Sequence, residues 1–496
     1  MLSETLLPCF VPSLFRLIKG SEYRKEYAYK YGYEYGYESG GFHVSLLANS
    51  LQQRTIRTLP ILFELGSTRR MMLKRPINCI CGKLSAEYSM VTGNMKSDPN
   101  PARVSHRHSD RVSPLPVTKP GKILLVRFSA LGDVIQTLPI LTMLRDGFPD
   151  AKIGWAIDTE LAPAIEGHPA LDYVHRCSRR SWSKALSNPA KWSTAAREFR
   201  AFVDEVRSIH YDVSIDAQGL FKTALLPYLA GVKRRIGFRH GREFSSVFYT
   251  ERHLRRGEYF APAVCHMEHM AHLAHSIGAG DVRYTIEPPR VSESARQHVA
   301  ELLDGAFAKD APLVAMAPAT QWVSKHWPDE YWVALISQLL AETDLNLIVQ
   351  GSAADAPAGE RILRAVPKAL LDGRVCNLFG KLPIPEMYAL YECVDAAVGS
   401  DSAPLHIAGA MGVPVLVGIY GPTGYRRTPP IGSPHIKLFS SEGELPCQPC
   451  HKRTCPLGTD ECMKRVRPEE VFQALVDGLT EAGISFQAAK GAAVVR

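Results

Sequence analysis

Apolar positions follow two alternating patterns from residue 122 onwards. Residues 122–128 (KILLVRF) form a short run of β-branched and other apolar residues, which is typical of a strand buried on both faces. After a turn at residues 129–133, apolar residues recur at helical spacing from 134 to 145, and Asp133 stands at the predicted N-cap. Ligands bind at the carboxyl edge of open α/β sheets, so we expect Asp133 at the mouth of a cleft. The alternative is that Asp133 only caps its helix.

Strand and helix patterns then alternate in two sets, separated by prolines at residues 287–290. The first set continues with a strand at 152–157, a long helical stretch at 179–207 and a strand at 211–216. The second set has predicted strands at 313–319, 345–351, 375–379, 396–400 and 414–420. We therefore predict an α/β protein with two Rossmann-like domains, residues 119–288 and 289–483, facing each other across a cleft. An amphipathic helix at 468–479 is expected to pack back across the hinge, and a tail follows at 484–496.

Residues 1–118 differ from the rest of the chain. Seven tyrosines alternate with glycine and charged residues between positions 23 and 37, and residues 94–120 are rich in Pro, Ser, His and Arg. We predict a disordered, low-complexity leader; the alternative is an arm that binds nucleic acid or a membrane. Met90 and Met95 are plausible later starts, and we expect a chain beginning at Met95 to fold and work like the full chain.

Composition narrows the class of protein. The 496 residues are 46% hydrophobic and 22% charged, and no window approaches the roughly 20 apolar residues that span a bilayer. The formal net charge is +8, but residues 1–118 hold 16 Lys and Arg against 9 Asp and Glu, which leaves only +1 for the body. Binding to nucleic acid is therefore not expected of the folded part.

The eleven cysteines, without an export signal, predict reduced thiols in a cytoplasm. Neither G-x-G-x-x-G after a first strand nor a P-loop motif occurs, which disfavours dinucleotide oxidoreductases and P-loop hydrolases.

Four stretches together resemble the bacterial ADP-heptose:lipopolysaccharide heptosyltransferases. They are RFSALGDVIQTLP (127–139), YDVSIDAQGLFKTALL (211–226), SKHWPDEYW (324–332) and SDSAPLHIAGAMGVPVLVGIYGPT (400–423). The resemblance covers about residues 122–479 and implies the GT-B architecture with an inverting transfer from ADP-heptose, without a metal or other cofactor. The second stretch, the arginines near 179, and GREFSSVFY (241–249) are most similar to heptosyltransferase I, which adds the first heptose to Kdo. Heptosyltransferase II, or another family member with a different acceptor, remains an alternative. So does a sugar-nucleotide-binding protein without turnover.

The resemblance implies roles for residues on the donor side. Asp133 matches the family's catalytic base, since an inverting transfer needs a carboxylate to take the proton of the acceptor hydroxyl. Lys325 follows the first strand of the second domain, where its ammonium can reach a diphosphate; alternatively it is a solvated surface lysine. The start of the helix after Asp401 offers backbone N–H groups to a phosphate. Here Ala403 and Pro404 depart from the usual Asp-Thr-Gly-x-x-His pattern. The implied donor-binding residues are Lys325, Glu360, Asp401, Ser402, Ala403 and His406. The alternative for Asp401 is a helix cap, and the alternative for His406 is a packed core histidine.

The implied acceptor is acidic, because Kdo carries a carboxylate and lipid A carries phosphates. The residues expected to face it are Arg179, Arg180, Lys184, Gln218 and Arg242. Kdo-lipid A lies in the inner leaflet of the bacterial inner membrane, so the enzyme is expected to be cytoplasmic and peripheral to that membrane. The oligomeric state stays open.

A cysteine cluster near the C-terminus allows one further interpretation. Cys447, Cys450, Cys455 and Cys462 are spaced C-x2-C-x4-C-x6-C, and four thiolates are a common ligand set for structural zinc. The spacing is shorter than in common zinc ribbons, so we predict no metal and keep zinc as the alternative.

Overall fold

The structure is a computed structural model that describes residues 62–65, 69–72, 119–185, 187–253 and 265–487. The leader predicted at residues 1–118 lies outside these ranges, except for two strands that the sequence did not predict. These strands, β1 (Leu62–Leu65) and β2 (Arg69–Met72), pair antiparallel.

The first half is built on a six-stranded sheet, in which every strand is parallel to its neighbours. Its order is β5-β4-β3-β6-β7-β8. The strands are β3 (Lys122–Val126), β4 (Lys152–Asp158), β5 (Tyr173–Cys177), β6 (Val213–Asp216), β7 (Arg234–Phe238) and β8 (Glu251–His253). The helices are α1 (Leu131–Ile135), α2 (Leu138–Gly147), α3 (Arg179–Ala185), α4 (Trp192–Ser208), α5 (Phe221–Leu229) and α6 (His266–His275).

The second half repeats this plan, again with six parallel strands. Its order is β11-β10-β9-β12-β13-β14. The strands are β9 (Leu313–Ala317), β10 (Asn346–Val349), β11 (Val375–Asn377), β12 (Ala396–Ser400), β13 (Val415–Tyr420) and β14 (His435–Ser440). The helices are α7 (Glu293–Leu303), α8 (Asp329–Glu342), α9 (Ala356–Ala365), α10 (Lys368–Leu371), α11 (Ile384–Glu392), α12 (Ala403–Ala410), α13 (Glu461–Lys464) and α14 (Pro468–Glu481).

The central strands of both sheets are among those that the apolar runs predicted. In β3, Ile123 to Val126 are fully buried, and β13 is buried along its whole length. Parallel strands covered by helices on both faces read as continuous apolar runs, which is why these two were recognisable. The α/β prediction with two Rossmann-like sheets is confirmed, whereas the boundary placed at residue 288 stays a prediction.

Three details of the prediction were wrong. The stretch 179–207 is not one helix: it contains α3, a short 3-10 turn at Pro189–Lys191, and α4. The helix predicted from 134 to 145 is divided into α1 and α2, and α1 already begins at Leu131. Helix α14 packs on α8, β13 and β14 of its own half rather than across the hinge.

The two halves share a packed interface. One buried cluster contains residues of both, among them Leu141 and Ile165 from the first half and Tyr388 and Leu405 from the second. The Tyr388 hydroxyl donates to the Ala164 carbonyl oxygen at 2.9 Å. The carboxyl edges of the two sheets are thereby held facing each other. Within the described ranges, no helix is both long and apolar enough to cross a membrane.

Candidate active site

The predicted base Asp133 lies inside a helix and is not its N-cap. Helix α1 is capped by Ala130, and Asp133 is the third helical residue. The Ala130 backbone N–H donates to Asp133 Oδ2 at 3.3 Å, as in the second half of a capping box. The side chain therefore still stabilises the helix start, but from a different position than the sequence suggested.

Arg127 forms an ion pair with the Asp133 carboxylate. Its Nη2 lies 2.6 Å from Asp133 Oδ2, and its Nη1 donates to the Ala217 carbonyl oxygen at 2.6 Å. Burial by itself would raise the pKa of Asp133, but the charge of Arg127, with a smaller contribution from the Ala130 N–H, holds that pKa below its usual range. Asp133 is therefore ionised near neutral pH, as a proton acceptor must be.

The turn after β6 is built around the buried Asp216. Its Oδ1 accepts from the backbone N–H groups of Gln218 and Gly219, both at 2.9 Å. Its Oδ2 accepts from the hydroxyls of Thr223 at 2.8 Å and Tyr249 at 2.7 Å. Burial raises the pKa of Asp216 despite these four donors. The network orders the IDAQG stretch without leaving Asp216 available to a substrate.

Gln218, predicted to bind acceptor, connects this turn to the Arg127 strand. Its side-chain oxygen accepts from the Phe128 backbone N–H at 2.8 Å, and the residue is buried. Gln218 therefore positions the chain immediately after Arg127. Its acceptor contact stays a prediction.

On the opposite side of the cleft, Asp401 is the centre of a charged cluster. Lys325 Nζ lies 2.6 Å from Asp401 Oδ2 and donates to the Asp401 carbonyl oxygen at 3.1 Å. The Thr423 hydroxyl also donates to Oδ2 at 2.6 Å, and His406 Nε2 lies 3.2 Å from Oδ1. Burial opposes ionisation of Asp401, but the charge of Lys325 and the hydrogen bond from His406 outweigh it and hold its pKa far below its usual range. Lys325, Asp401 and His406, predicted together as donor residues, do lie together.

The start of α12 completes this cluster. Ser402 is the N-cap of α12, yet its hydroxyl makes no capping hydrogen bond. The Ser402 Oγ is buried without a hydrogen-bond partner in the described part of the chain. A helix N-terminus with an unpaired hydroxyl is suited to an anionic oxygen, as expected for a phosphate of the donor.

Helix α1 of the first half lies directly against α12 of the second. A Cβ on Gly132 would come within 3.2 Å of His406 Cδ2 and 3.8 Å of the Ala403 Cα. The Gln136 amide nitrogen lies 3.5 Å from His406 Nδ1. With the Nε2 proton of His406 directed to Asp401, Nδ1 is free to accept from Gln136. Gly132, which precedes Asp133 in the chain, thus lies against the first turn of α12. The predicted base and the predicted donor cluster are therefore brought to one place.

Sequence reasoning missed several residues near this junction. Arg127 sits within an apolar strand run, and nothing in its spacing indicated a partner. His266 begins α6, and its backbone N–H donates to the Arg427 carbonyl oxygen at 2.7 Å. Burial and the charge of Arg127 lower the pKa of His266 to about 3, so the imidazole is neutral at physiological pH. The consecutive arginines at 426 and 427, after the resembling stretch, were a signal that the sequence analysis did not use.

The remaining predicted donor residue is exposed. Glu360 lies on α9, and its carboxylate pairs with Arg364 at 2.9 Å, one turn away on the same helix. Contact between Glu360 and the donor stays a prediction.

The predicted acceptor residues fall into two groups at the carboxyl edge of the first sheet. Arg179 forms a bidentate ion pair with Asp158, the last residue of β4. Its Nη2 lies 2.6 Å from Oδ2 and its Nε 3.2 Å from Oδ1. Arg180 and Lys184 are exposed on α3. Arg242 is exposed, and its backbone N–H donates to the Gly219 carbonyl oxygen at 2.9 Å. The structure therefore joins Gln218 and Arg242 through one turn, but it gives Arg179 an internal ion-pair partner.

The four C-terminal cysteines form no disulfide, and zinc stays an alternative for them. Cys447, Cys450, Cys455 and Cys462 are free thiols, and no group of three or more His, Cys, Asp or Glu residues in the described ranges is arranged to hold a metal ion. Burial, together with the neighbouring cysteines, raises the pKa of Cys462 to about 11.

Known proteins are similar to this chain in sequence and in fold. Residues 199–460 match the profile of Glycosyltransferase family 9 (heptosyltransferase). Lipopolysaccharide heptosyltransferase 1 of Pseudomonas aeruginosa is 29% identical over 371 residues, which cover 71% of this chain and 97% of that protein. Lipopolysaccharide heptosyltransferase 2 of Salmonella typhimurium is 24% identical over 371 residues, or 73% of this chain and 100% of that protein.

A solved structure agrees with the fold. The Escherichia coli heptosyltransferase with ADP-2-deoxy-2-fluoro heptose superposes with a TM-score of 0.52 at 24% identity, covering 72% of this chain and 99% of that one. The architecture of two facing Rossmann-like sheets is therefore that of the GT-B glycosyltransferases, as predicted.

Proposed function

Because the chain belongs to glycosyltransferase family 9, the heptosyltransferases, we propose that it transfers L-glycero-D-manno-heptose from ADP-heptose to the Kdo of the lipopolysaccharide inner core. The carrying observation is the contact of Gly132 with His406 and Ala403, which brings the ionised Asp133 of one half beside the Lys325–Asp401–Ser402 cluster of the other. The ADP-2-deoxy-2-fluoro heptose of the E. coli relative supports ADP-heptose as donor.

Each side of this junction has one chemical task. The Asp133 carboxylate accepts the proton of the acceptor hydroxyl as that oxygen attacks the anomeric carbon of the donor. The bond to the ADP oxygen breaks, and the diphosphate leaves from the opposite face, which inverts the anomeric centre. Lys325 places two of its three N–H groups on Asp401, so the third can reach a phosphate oxygen. The N-terminus of α12 and the Ser402 hydroxyl add donors to the same departing charge. With these groups stabilising the diphosphate, we propose that the transfer needs no metal or other cofactor.

The acceptor is the finer part of the proposal. The Kdo carboxylate and the lipid A phosphates suit the exposed Arg180, Lys184 and Arg242 at the first sheet's carboxyl edge. This acceptor would place the enzyme at the cytoplasmic face of the bacterial inner membrane. Relatives of both heptosyltransferase types match the chain, so transfer to an acceptor that already carries one heptose is the second candidate.

Turnover with defined acceptors tests the proposal. The full chain would be incubated with ADP-heptose and either Kdo-lipid A or the same acceptor already carrying its first heptose. ADP release and product mass would be measured. Product from Kdo-lipid A is the expected result, whereas product from the heptosylated acceptor alone assigns the second activity. Binding of ADP-heptose without ADP release in both arms would overturn transfer and indicate a sugar-nucleotide-binding protein.

A further inference from the structure

Exposed apolar side chains are concentrated in one short region of the first half. Six large hydrophobic side chains in the described ranges are exposed, and three of them lie between residues 228 and 247. Phe244 is 82% exposed, Val247 64% and Tyr228 52%. These three residues are called the apolar cap below. Single exposed apolar residues are common, but several in one place mark an interaction surface.

The fold holds the apolar cap in place. Glu243 and Phe244 both have left-handed backbone conformations, with φ of 57° and 59°. The Ser245 hydroxyl donates to the Gly219 carbonyl oxygen at 3.2 Å, and the short 3-10 helix Ser245–Phe248 follows. The Phe248 ring packs on Phe221 and Tyr228 at centroid distances of 5.2 and 5.4 Å. The side chain of Phe244 is therefore directed into solvent by an anchored turn.

Basic residues lie close to the apolar cap along the chain. Lys233, Arg239 and Arg242 are exposed, and the Arg235 guanidinium lies 5.5 Å from the centroid of the Tyr228 ring. Glu243 is the only acidic residue between 228 and 250. An aromatic and aliphatic tip with cationic neighbours has the chemistry of a segment that enters the interface of an anionic bilayer: the apolar groups enter the boundary while Lys and Arg meet the headgroups.

We propose that the apolar cap is the surface by which this protein docks on an anionic lipid bilayer. The inference deepens the proposed function, on which it rests for an acceptor held in a membrane. The Gly219 carbonyl oxygen that binds Ser245 belongs to the turn whose Gln218 positions Phe128, next to Arg127. Hydrogen bonds, together with the peptide bonds from Gln218 to Gly219 and from Arg127 to Phe128, thus connect the docking surface to the carboxylate of Asp133. Docking here places the acceptor edge of the first sheet at the lipid surface.

The charge pattern favours an anionic bilayer over a protein as the partner of the apolar cap. A second copy of the chain would have to bury the cationic rim against a surface of complementary charge, whereas anionic headgroups supply that charge together with an apolar boundary. The experiment therefore treats a protein partner as an outcome that overturns the proposal.

Vesicle binding by the full chain is the test. Co-sedimentation would compare vesicles of phosphatidylcholine alone with vesicles containing phosphatidylglycerol, in the absence of donor and acceptor. The double variant Phe244→Ser/Val247→Ser removes the apolar tip. Leu457→Ser is the matched control, because Leu457 is 66% exposed but lies in the second half. Lys233→Gln/Arg239→Gln removes charge alone. The basic residues of positions 1–118 are the same in every variant, so they cancel in the comparison.

The expected results differ between variants. Each CH2 buried in the bilayer contributes about fourfold to the partition constant, so Phe244→Ser/Val247→Ser should weaken binding at least about tenfold on anionic vesicles. Leu457→Ser should bind like the unchanged chain, and Lys233→Gln/Arg239→Gln should show a weaker preference for phosphatidylglycerol. Equal sedimentation of the double variant and the unchanged chain would overturn the proposal. So would a change in oligomeric mass caused by the double variant, since that would assign the cap to a second copy.

Activity distinguishes this inference from the proposed function. The double variant should retain turnover on a soluble Kdo saccharide without acyl chains and lose turnover on Kdo-lipid A in vesicles. If the unchanged chain transfers no heptose to any acceptor while the double variant still loses vesicle binding, the proposed function fails and the docking surface stands.

Discussion

The Arg127 guanidinium lies 2.6 Å from the Asp133 carboxylate, and the two side chains differ sharply in exposure, at 5% and 42%. The arginine is enclosed by the first sheet, whereas the carboxylate opens into the cleft. A buried cation thus stabilises the ionised form of a group that a substrate can still reach. The pKa of Asp133 is therefore lowered by Arg127, a residue that needs no contact with the substrate.

Replacing Arg127 should move the pH dependence of turnover. In Arg127→Met the charge that lowers the pKa of Asp133 is lost, so that pKa rises. The carboxylate must be ionised to act, and the acid limb of kcat/KM should therefore shift to higher pH. Arg145→Met is the control, because Arg145 pairs with Asp172 at 2.7 Å, away from the cleft. An unshifted acid limb in Arg127→Met would remove Arg127 from the control of Asp133.

Asp133→Asn should reduce both rate and stability. Asparagine cannot take the acceptor's proton, and general bases typically contribute about 10²–10⁴-fold in rate. The change also leaves the buried Arg127 without its charged partner, which we expect to lower the free energy of unfolding by about 1–2 kcal/mol. Asp172→Asn is the matched control, since Asp172 is ion-paired to Arg145 and Lys152. It should lose stability while turnover of the folded enzyme is kept. Comparable kcat for the two variants would assign Asp133 a structural role alone.

Lys325→Ala should weaken ADP binding. The change removes the proposed charged donor to the diphosphate, so we expect ADP binding to weaken by roughly 1.5–3 kcal/mol. Calorimetry measures this difference. It also leaves the buried Asp401 without its cation. Thr423→Val separates these effects, because Thr423 donates to the same Asp401 oxygen at 2.6 Å without carrying charge. ADP affinity should fall much more in Lys325→Ala than in Thr423→Val, and unchanged affinity in Lys325→Ala would contradict a phosphate contact.

Asp401 should make stability depend on pH in the acid range. Its pKa in the folded chain lies below the ordinary value of 3.8, so its ionised form stabilises the fold above that value. This contribution is lost as the pH falls below 3.8 towards the folded-state pKa. In urea unfolding between pH 6 and pH 3, the stability difference between the unchanged chain and Asp401→Asn should therefore shrink at the acid end. A difference that stays constant, or that grows towards pH 3, would contradict a depressed pKa.

Whether a strand could be predicted from the sequence depended on how completely the strand is buried. The central strands β3, β9, β12 and β13 were found because their apolar runs are continuous. The strands β5, β7, β8 and β14 were missed: most of them lie at or near a sheet edge, and β14 has exposed or partly exposed residues along its length, so its run is broken. The amphipathic pattern of α4 was recognisable, but its separation from α3 was not, since a short 3-10 turn leaves little trace in apolar spacing.

The sequence by itself determined the alternation of strands and helices and the placement of Asp133, Lys325 and Ser402 after strands, because such order depends on neighbours along the chain. Only the tertiary structure decided which charges meet. Gln136 and His406 are 270 residues apart, and Lys325 and Asp401 are 76 apart. Local spacing carries no information about such pairs. They form because two sheets bury their apolar faces and thereby bring their carboxyl edges together, and the pKa of Asp133 depends on that packing as much as on its own position.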